Sequence, residues 1–327
     1  MSPSPVKPDT PSSIAIWSAM SSVYLIWGST YLAIRFAIET IPPFLMAGTR
    51  FLIAGGILYL IRRILGDAPP SRNEWSSAAV IGFFLLVGGN GGVVWAEQYV
   101  VSGMTAILVG TAPLWMVLID LLHPSGTRPD LLAILGLILG FMGISLLIGQ
   151  GQFPGQGATI DLVGSVVLIF ASLSWAIGSL YSRRASLPSS PLLWTAMEML
   201  AGGTGLFLLG ILTGEVPEVR LSTLSFRSLA GLIYLILFGS WIGLTSYTWL
   251  LRNAPTPLVS TYAYVNPVVA VLLGYFLASE SITPFTLIAA AMVVGSVALT
   301  TRSQQRSFKQ KPAPPASESE REASPNP

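Results

Sequence analysis

The sequence predicts an all-α integral membrane protein with ten transmembrane helices, arranged as two inverted five-helix repeats. Of its 327 residues, 52% are apolar and only 10% are charged, which leaves too little polar surface to cover a soluble domain. The chain contains ten apolar runs of about twenty residues, the length that a hydrocarbon core of roughly 30 Å requires. Matching residues also recur between its two halves.

The apolar runs divide the chain into two repeats, residues 14–149 and 161–301, joined by a linker at residues 150–160. Residues 1–13 form a predicted N-terminal tail. Residues 302–327 are rich in Pro, Ser and charged residues, so we expect a disordered tail. The predicted helices cover residues 14–34, 43–64, 76–97, 101–121, 130–149, 161–182, 190–212, 227–250, 257–278 and 283–301.

The distribution of Lys and Arg predicts the orientation in the membrane, because cytoplasmic loops carry an excess of these residues. With the N-terminus inside, thirteen of the 17 cations fall on the cytoplasmic side, and Arg50 falls within a helix. Only Arg35, Arg220 and Arg227 fall outside. We therefore predict two cytoplasmic termini and a periplasmic linker.

Residues at corresponding places in the two halves support an internal repeat. Trp27 and Arg35 recur as Trp175 and Arg183, at an offset of 148. Because each half has five helices, the second half is predicted to be inverted, with a substrate site near the membrane midplane between the halves. Three further sets match at offsets of 147 to 154: residues 54–56 with 201–203, Trp95 and Pro113 with Trp249 and Pro267, and Gly143 and Leu147 with Gly295 and Leu299.

Several function classes are excluded or made remote by the composition. The net charge of +2 favours no nucleic-acid partner. The absence of cysteine and the isolation of the single histidine, His123, predict no metal, no cofactor and no thiol catalysis. No phosphate-binding loop is present for ATP hydrolysis. A membrane-embedded enzyme or scaffold is the remote alternative, because an enzyme would need a nucleophile beside a base.

Two charged residues lie well inside predicted helices, where charge is costly and marks candidate functional groups. Arg50 and Glu198 occupy near-equivalent positions, each roughly 12 Å deep, which leaves about 6 Å of height between them. Glu198 is the candidate coupling or counter-charge group, with protons as a possible coupling ion, and Arg50 is a candidate substrate-binding residue. The alternatives are a structural tether between the halves, or one residue snorkelling while the other faces a polar cavity.

Helix 3 contains Asn90 between two glycine pairs, Gly88 and Gly89 before it and Gly91 and Gly92 after it. Each glycine weakens a helix by about 1 kcal/mol relative to alanine, so the segment is a candidate hinge. Either it is locally unwound, with its carbonyls facing the substrate, or the glycines pack closely against another helix. Asn90 is predicted to face the cavity, because an amide facing lipid would be unsatisfied.

Helix 9 places Tyr262 and Asn266 four residues apart on one face, and both are predicted to bind substrate. The alternative for the tyrosine is interfacial anchoring. Pro113 and Pro267 are candidate hinges because proline frees a backbone carbonyl. The deep residues Trp27 and Trp175 are candidates for stacking on substrate. Glu97, Asp120 and Glu280 fall at helix ends, where water or headgroups are expected to solvate them.

Four features together resemble the EamA family of the drug/metabolite transporter superfamily, over residues 14–301. They are the run Trp27-Gly28-Ser29-Thr30-Tyr31, the pair Arg50-Phe51, the stretch of residues 102–106 leading to Pro113, and the paired halves. The resemblance implies a bacterial inner-membrane carrier of small metabolites, with a cavity lined mainly by helices 1, 3, 4, 6, 8 and 9. It does not imply one substrate.

The expected function is therefore secondary transport of a small metabolite by alternating access, most simply the export of amino acids or related zwitterions. Efflux of cationic or aromatic drugs is the alternative. If both Arg50 and Glu198 reach the cavity, two opposite charges suit a zwitterion. If Glu198 alone reaches it, together with aromatic side chains, a cation is favoured. The sequence leaves the substrate, the direction of transport and the oligomeric state open.

Overall fold

The computed structural model describes residues 11–122, 130–149 and 161–310, and these contain helices and no β-strand. In this part of the chain the helical segments form ten rods. In order they are α1 (Ser13–Ser22, Val23–Trp27, Gly28–Ala37), α2 (Pro43–Ile64), α3 (Arg72–Gly82, Phe83–Asn90, Gly91–Ala96), α4 (Ser102–Val109, Ala112–Leu122), α5 (Leu131–Gly149), α6 (Leu162–Ser182), α7 (Pro191–Leu212), α8 (Phe226–Tyr234, Leu235–Leu244, Thr245–Asn253), α9 (Thr256–Val259, Tyr262–Ala278) and α10 (Pro284–Gln310).

The predicted membrane class is supported by the length and hydropathy of these helices. Within the described residues, seven are long and apolar enough to cross a bilayer. Two apolar segments, Leu131–Leu146 in α5 and Val265–Ala278 in α9, are shorter. The described part of the chain is therefore all-helical with seven candidate membrane spans, and the count of ten spanning helices stays a prediction.

The C-terminal boundary differs from the expectation. Residues 302–310, predicted to be disordered, continue α10 as helix to Gln310. The reason is local, because no glycine or proline interrupts the chain between Arg302 and Gln310, and the next proline is Pro312. The N-terminal tail up to residue 10, His123, the linker at 150–160 and the tail from residue 311 lie outside the described residues.

Most helix starts follow from local capping residues. Ser71 and Glu74 form a reciprocal capping box at the start of α3. The Asp161 side chain accepts from the Gly164 amide at the start of α6, and Ser190 and Ser225 cap α7 and α8 in the same way.

Two helix starts are capped from distant parts of the chain. Glu215, after α7, accepts hydrogen bonds from the backbone amides of Phe44 and Leu45 at the start of α2, at 3.1 and 2.8 Å. Glu280, between α9 and α10, accepts from the Ser102 amide at the start of α4 at 3.0 Å. In both cases a carboxylate of the second half satisfies amides of the first half, which lipid would leave unpaired.

The tightest helix pair in the fold is α2 with α7, which run antiparallel. Gly48 faces Phe207 and Gly55 faces Met199, so that the backbones approach closely at small residues. The pair α5 and α10 is similarly close, with Gly143 against Met292. Helices α2 and α7 are equivalent in the two repeats, and so are α5 and α10. Equivalent helices therefore pack on each other, as expected for two halves related by an axis between them.

Three helices contain π-helical turns near the middle of the bundle. They are Val23–Trp27 in α1, Phe83–Asn90 in α3 and Leu235–Leu244 in α8. Wide turns of this kind are rare and are frequently found at functional sites. All three segments border the internal cavity described next.

Candidate substrate cavity

A small internal cavity of about 60 Å³ lies between the two halves. It is bordered by α1, α3, α4, α6, α8 and α9, the helices that the family resemblance implies, and also by α2. Five of the six residues predicted to bind substrate line this one cavity: Trp27, Arg50, Asn90, Trp175 and Tyr262. The sequence prediction therefore selected residues that the fold brings together, and their role in substrate binding stays a prediction.

Four aromatic rings, which we call the aromatic cluster, pack on one another at the cavity end that lies toward the predicted cytoplasmic face. The rings are those of Trp27, Trp175, Tyr247 and Tyr262. The Trp27 ring centroid lies 5.3 Å from that of Trp175 and 4.8 Å from that of Tyr247. The indole of Trp175 donates a 3.0 Å hydrogen bond to the Tyr247 hydroxyl, which fixes both side chains. Trp27 and Trp175 are repeat equivalents in direct contact, so they lie near the pseudo-two-fold axis.

Arg50 is held by α8 and is buried, with 3% of its surface exposed. Its Nε donates a 2.8 Å hydrogen bond to Ser240 Oγ, and its guanidinium lies 4.5 Å from the Phe51 ring centroid. Its Nη1 has no hydrogen-bond partner in the described part of the chain. Gly239 leaves room for the guanidinium, because a Cβ there would lie 2.7 Å from Arg50 Nη2.

Asn90 and Tyr262 contribute two further polar atoms without partners. Within the described residues, Asn90 Oδ1 and the Tyr262 hydroxyl are buried and accept or donate no hydrogen bond. Buried polar atoms are normally paired, so each unpaired atom indicates a site for water or a ligand. Together with Arg50 Nη1, the cavity residues thus offer one cationic donor, one amide acceptor and one hydroxyl.

The glycines around Asn90 pack closely against neighbouring helices, and the segment is not unwound. Residues 83–90 remain helical, with π-turns. A Cβ at Gly88 would lie only 3.0 Å from Ser174 Cβ, and one at Gly92 would lie 2.8 Å from Ala171 Cβ. Of the two interpretations left open by the sequence, close packing is the one observed. A hinge role for Gly88, Gly89, Gly91 and Gly92 stays a prediction.

Asn266 does not line the cavity, although it was predicted to bind substrate. Its side chain is buried, and in the amide orientation that satisfies its neighbours the nitrogen donates to the backbone carbonyls of Tyr24 at 3.1 Å and Tyr262 at 3.3 Å. It therefore ties α9 to the π-helical turn of α1. Asn266 does share one face of α9 with Tyr262, as the sequence predicted. At Asn266, however, the backbone of α1 packs against that face, so the side chain does not reach the cavity.

Glu198 lies apart from the cavity and forms no ion pair with Arg50 in the described structure. The facing residues of α2 and α7 place Arg50 near the level of Gly205 and Glu198 near that of Gly56. The two residues are thus separated by about seven positions, or roughly 10 Å along the helix axes. Glu198 is 1% exposed, and neither carboxyl oxygen has a hydrogen-bond partner among the described residues.

The two prolines lie where helices 4 and 9 meet. In α4 the helix is interrupted at Gly110 and Thr111, directly before Pro113. The carbonyl of Val109, which Pro113 leaves without its helical donor, accepts a 3.3 Å hydrogen bond from Ser172 Oγ. Pro267 lies inside α9 and packs near Gly110. Both positions are compatible with the predicted hinges, whose movement stays a prediction.

Sequence reasoning missed several residues of this region. Tyr247 was not among the predicted site residues, yet it is fully buried in the aromatic cluster. The expectation that Glu97 and Glu280 are solvated at helix ends is wrong, because they are only 1% and 9% exposed. Their burial could have been suspected from their place between closely spaced helices of a small bundle. Nothing is described for the Asp120 side chain.

A second, wider groove of about 810 Å³ opens between α1, α2, α7 and α8, toward the predicted cytoplasmic face. Arg62 and Asp67 border it and form a 2.7 Å ion pair. Arg62 lowers the pKa of the Asp67 carboxyl below its ordinary value by hydrogen bonding to it. Trp241 and Trp249 also border the groove, and of the two only Trp249 is close to the end of α8, where aromatic residues meet headgroups.

Two helical repeats that enclose a small cavity with unpaired polar atoms define a membrane transport protein. The chain belongs to the EamA-like transporter family, which matches residues 14–149 and again residues 162–302. The two matches confirm the resemblance seen in the sequence and the division into two repeats. A transporter family implies a small-molecule substrate and a place in the lipid bilayer.

Comparison with individual proteins supports the same assignment. The chain is 38% identical to the "Uncharacterized inner membrane transporter YedA" of Escherichia coli K12, over 88% of this chain and 91% of that protein. It is 24% identical to the "Uncharacterized transporter YoaV" of Bacillus subtilis, over 88% and 97%. A crystal structure with 19% identity has a TM-score of 0.62 and covers 90% of this chain and all of its own, which shows a shared fold.

Proposed function

We propose that this transporter exports amino acids or closely related zwitterions across the bacterial inner membrane by alternating access. The observation that carries the proposal is the set of three buried, unpaired polar atoms in one cavity: Arg50 Nη1, Asn90 Oδ1 and the Tyr262 hydroxyl. Each atom has a complementary group on an α-amino acid. The inner membrane is the location given in the name of the 38% identical relative.

The chemistry of binding follows from these donors and acceptors. Arg50 donates to the substrate carboxylate in a charge-assisted hydrogen bond. Asn90 Oδ1 has only lone pairs to offer, so it accepts from the substrate ammonium group. The Tyr262 hydroxyl is able to donate or accept. The rings of Trp27 and Trp175 form an apolar wall for the substrate side chain.

The sequence criterion for a zwitterion, Arg50 and Glu198 both at the cavity, is not met, and the charge that is present disfavours a purely cationic drug. Among the residues of the described chain that line it, Arg50 is the only charged one. A cation would meet this positive charge with no carboxylate among the described lining residues, since Glu198 lies elsewhere. The aromatic cluster does favour cationic and aromatic compounds through its ring faces. Efflux of such drugs is therefore the second candidate, and the transport measurement below separates the two.

The transport cycle requires the cavity to widen and to change sides. Its volume of about 60 Å³ is far below the roughly 300 to 1,000 Å³ of typical ligand pockets. The inverted repeats supply two related sets of helices that rock against each other around a central site. The proposed cycle thus alternates between opening past the aromatic cluster and opening at the opposite end.

The first experiment identifies the substrate. Untargeted metabolite analysis compares cells that lack the protein with cells that overexpress it, and the candidates are then tested by counterflow into proteoliposomes. The proposal expects one or more amino acids to accumulate in cells that lack the protein and to exchange in vesicles. Counterflow of quaternary ammonium or planar aromatic cations, with none of any amino acid, would replace it by the drug-efflux function.

A matched pair of asparagines tests the cavity assignment. We expect Asn90→Ala to weaken substrate affinity several-fold, because a neutral hydrogen bond contributes about 0.5 to 1.5 kcal/mol and one to a charged ammonium contributes more. Tyr262→Phe should also weaken binding. Asn266→Ala should instead lower the yield of folded protein and leave the affinity of the surviving protein nearly unchanged. Affinity and monodispersity are measured on the same preparations, and normal binding by both cavity variants would contradict the assignment.

Glu198 is proposed as the proton-coupling carboxyl. If transport uses a proton gradient, Glu198→Gln should abolish that dependence and leave gradient-independent exchange measurable, because a glutamine binds no proton. The measurement compares uptake driven by a pH gradient with substrate exchange at equal pH in the same vesicles. Full proton-driven uptake by the variant would remove Glu198 from this role.

A further inference from the structure

Three charged side chains lie beyond the cavity at the end opposite to the aromatic cluster; those of Glu97 and Glu280 are buried, and that of Arg35 is 36% exposed. We call Arg35, Glu97 and Glu280 the charged lid. Glu97 is 1% exposed and ends α3, and Arg35 lies near the end of α1. Arg35 Nε lies 3.7 Å from Glu280 Oε1, and Glu280 caps the start of α4. The lid therefore joins α1, α3 and α4 to the connection between α9 and α10, at the predicted outer face.

The lid lies one helical turn beyond the cavity wall on two helices. On α3, Val93 lines the cavity, and the Glu97 amide donates to the Val93 carbonyl, so the two residues share one face. On α1, Tyr31 lines the cavity, and Arg35 follows four residues later on the same face. A path from the cavity to this face along α1 and α3 therefore runs past the charged lid.

Glu97 differs from its neighbours because its carboxyl group makes no hydrogen bond. Neither of its oxygens has a partner in the described part of the chain, whereas Glu280 accepts three hydrogen bonds. An ionised carboxylate buried in this way is unfavourable, so the neutral acid is the stable form while the lid is closed. The charged and titratable groups on the elements packed around this end of α3 are Tyr31 and Arg35 of α1, Arg50 of α2, Asp161 of α6 and Glu280.

The surroundings of Glu97 on balance favour its neutral form. Burial and, to a smaller extent, the Glu280 carboxylate raise the pKa of Glu97 well above its ordinary value, and the opposing effect of Arg35 is smaller still. A group whose pKa is raised in the closed state stabilises that state at low pH, and this stabilisation is lost as the pH rises through the raised pKa.

We propose that Glu97 is a proton-binding site that controls the outer entrance of the cavity. With Glu97 protonated, Arg35 pairs with Glu280 alone and the lid is closed. With Glu97 ionised, two carboxylates share one guanidinium, water must enter to solvate the excess negative charge, and the contact between α1 and the α9–α10 connection loosens. A rise in external pH therefore opens the cavity outward. This site is distinct from Glu198, which lies in the second half.

The test uses thiol accessibility, because the chain contains no cysteine of its own. Val93→Cys places one thiol in the cavity beneath the lid, and Tyr99→Cys places one at an exposed position on the same side. A membrane-impermeant methanethiosulfonate is added outside intact spheroplasts between pH 5.5 and 8.5. The rate at Val93→Cys is divided by the rate at Tyr99→Cys to correct for the reagent, and the same ratio in the Glu97→Gln background corrects for the different thiol pKa of the buried cysteine.

We expect the normalised rate to rise by up to about tenfold per pH unit below its midpoint, since the ionised fraction of one carboxyl changes by that factor. Adding Glu97→Gln should hold the rate at its low-pH value throughout, and Glu97→Asp should restore the rise. Glu39→Gln, which removes a half-exposed carboxylate paired with Arg227 at the same face, should leave the rise intact.

Two outcomes would overturn the proposal. One is a normalised rate that does not change with pH in protein with native Glu97. This measurement does not depend on whether a Glu97 variant folds. The other is a pH-dependent rise that survives in Glu97→Gln. This proposal depends on the proposed transport cycle in one respect, that the cavity opens toward the outer face. The thiol measurement itself uses no substrate. A pH-dependent lid in a protein that exchanges no amino acid would thus contradict the proposed substrate class alone.

Discussion

Replacing Arg50 by Gln is expected to weaken amino acid binding by about 10- to 100-fold. A hydrogen bond to a charged group contributes about 1.5 to 3 kcal/mol, and 1.4 kcal/mol corresponds to a factor of ten in affinity. In addition, Arg50 is the only charged residue among the described ones that line the cavity, so its loss removes the attraction for the substrate carboxylate. Binding is measured by calorimetry on purified protein, with the amino acid identified by counterflow.

Two further variants show whether this loss comes from the substrate contact. Arg50→Lys keeps the charge but lacks the planar fork that reaches both Ser240 and a ligand, so we expect partial binding. Arg227→Gln removes an arginine from an exposed pair with Glu39 and should leave binding unchanged. If Arg50→Gln binds amino acids as tightly as the native protein, Arg50 meets no carboxylate and the zwitterion proposal fails.

The second large effect concerns stability and compares two glycines of α2. Gly48→Ala is expected to destabilise the protein by about 1 to 3 kcal/mol, as overpacking of a close contact typically does. The added Cβ would lie 2.6 Å from the backbone nitrogen of Phe207 in α7, and two helix backbones do not separate locally. A Cβ at Gly56 would meet no atom within 4 Å. Gly56→Ala should therefore be neutral or stabilising, by up to about 1 kcal/mol.

The comparison is made by thermal denaturation of the two variants in the same detergent. Because both substitutions change glycine to alanine in one helix, helix propensity and detergent effects cancel, and the difference reports the contact with α7. Equal midpoints for the two variants would show that the α2–α7 backbone contact is looser than the structure describes.

Much of the fold follows from the sequence because few backbone structures can span a lipid bilayer. Apolar runs of about twenty residues predict the helices, and most observed ends fall within a few residues of the predicted ones. The convergence of Arg50, Asn90 and Tyr262 on one cavity has the same cause. A polar side chain deep in a span must face the protein interior, and between two repeats the interior is a small region.

The parts that could not be predicted depend on which surfaces meet. The spacing of Tyr262 and Asn266 gives a shared face, but only the packed structure shows that the backbone of α1 occupies that face at Asn266. The burial of Glu97 depends on the segments around the end of α3, which hydropathy does not specify. From the sequence alone, the glycines beside Asn90 indicated a segment of low helix propensity. Their contacts show instead that they permit close approach of α6 and α7 to α3.

The two long-range caps bear on how such a chain arises and whether it can be divided. A gene duplication would at first give two interchangeable modules. Here Glu215 and Glu280 belong to the second module and satisfy amides that begin helices of the first. A first module produced alone would carry those amides unsatisfied, so the halves have lost their modular independence. Split versions of this gene should work only when both fragments are made together in one cell.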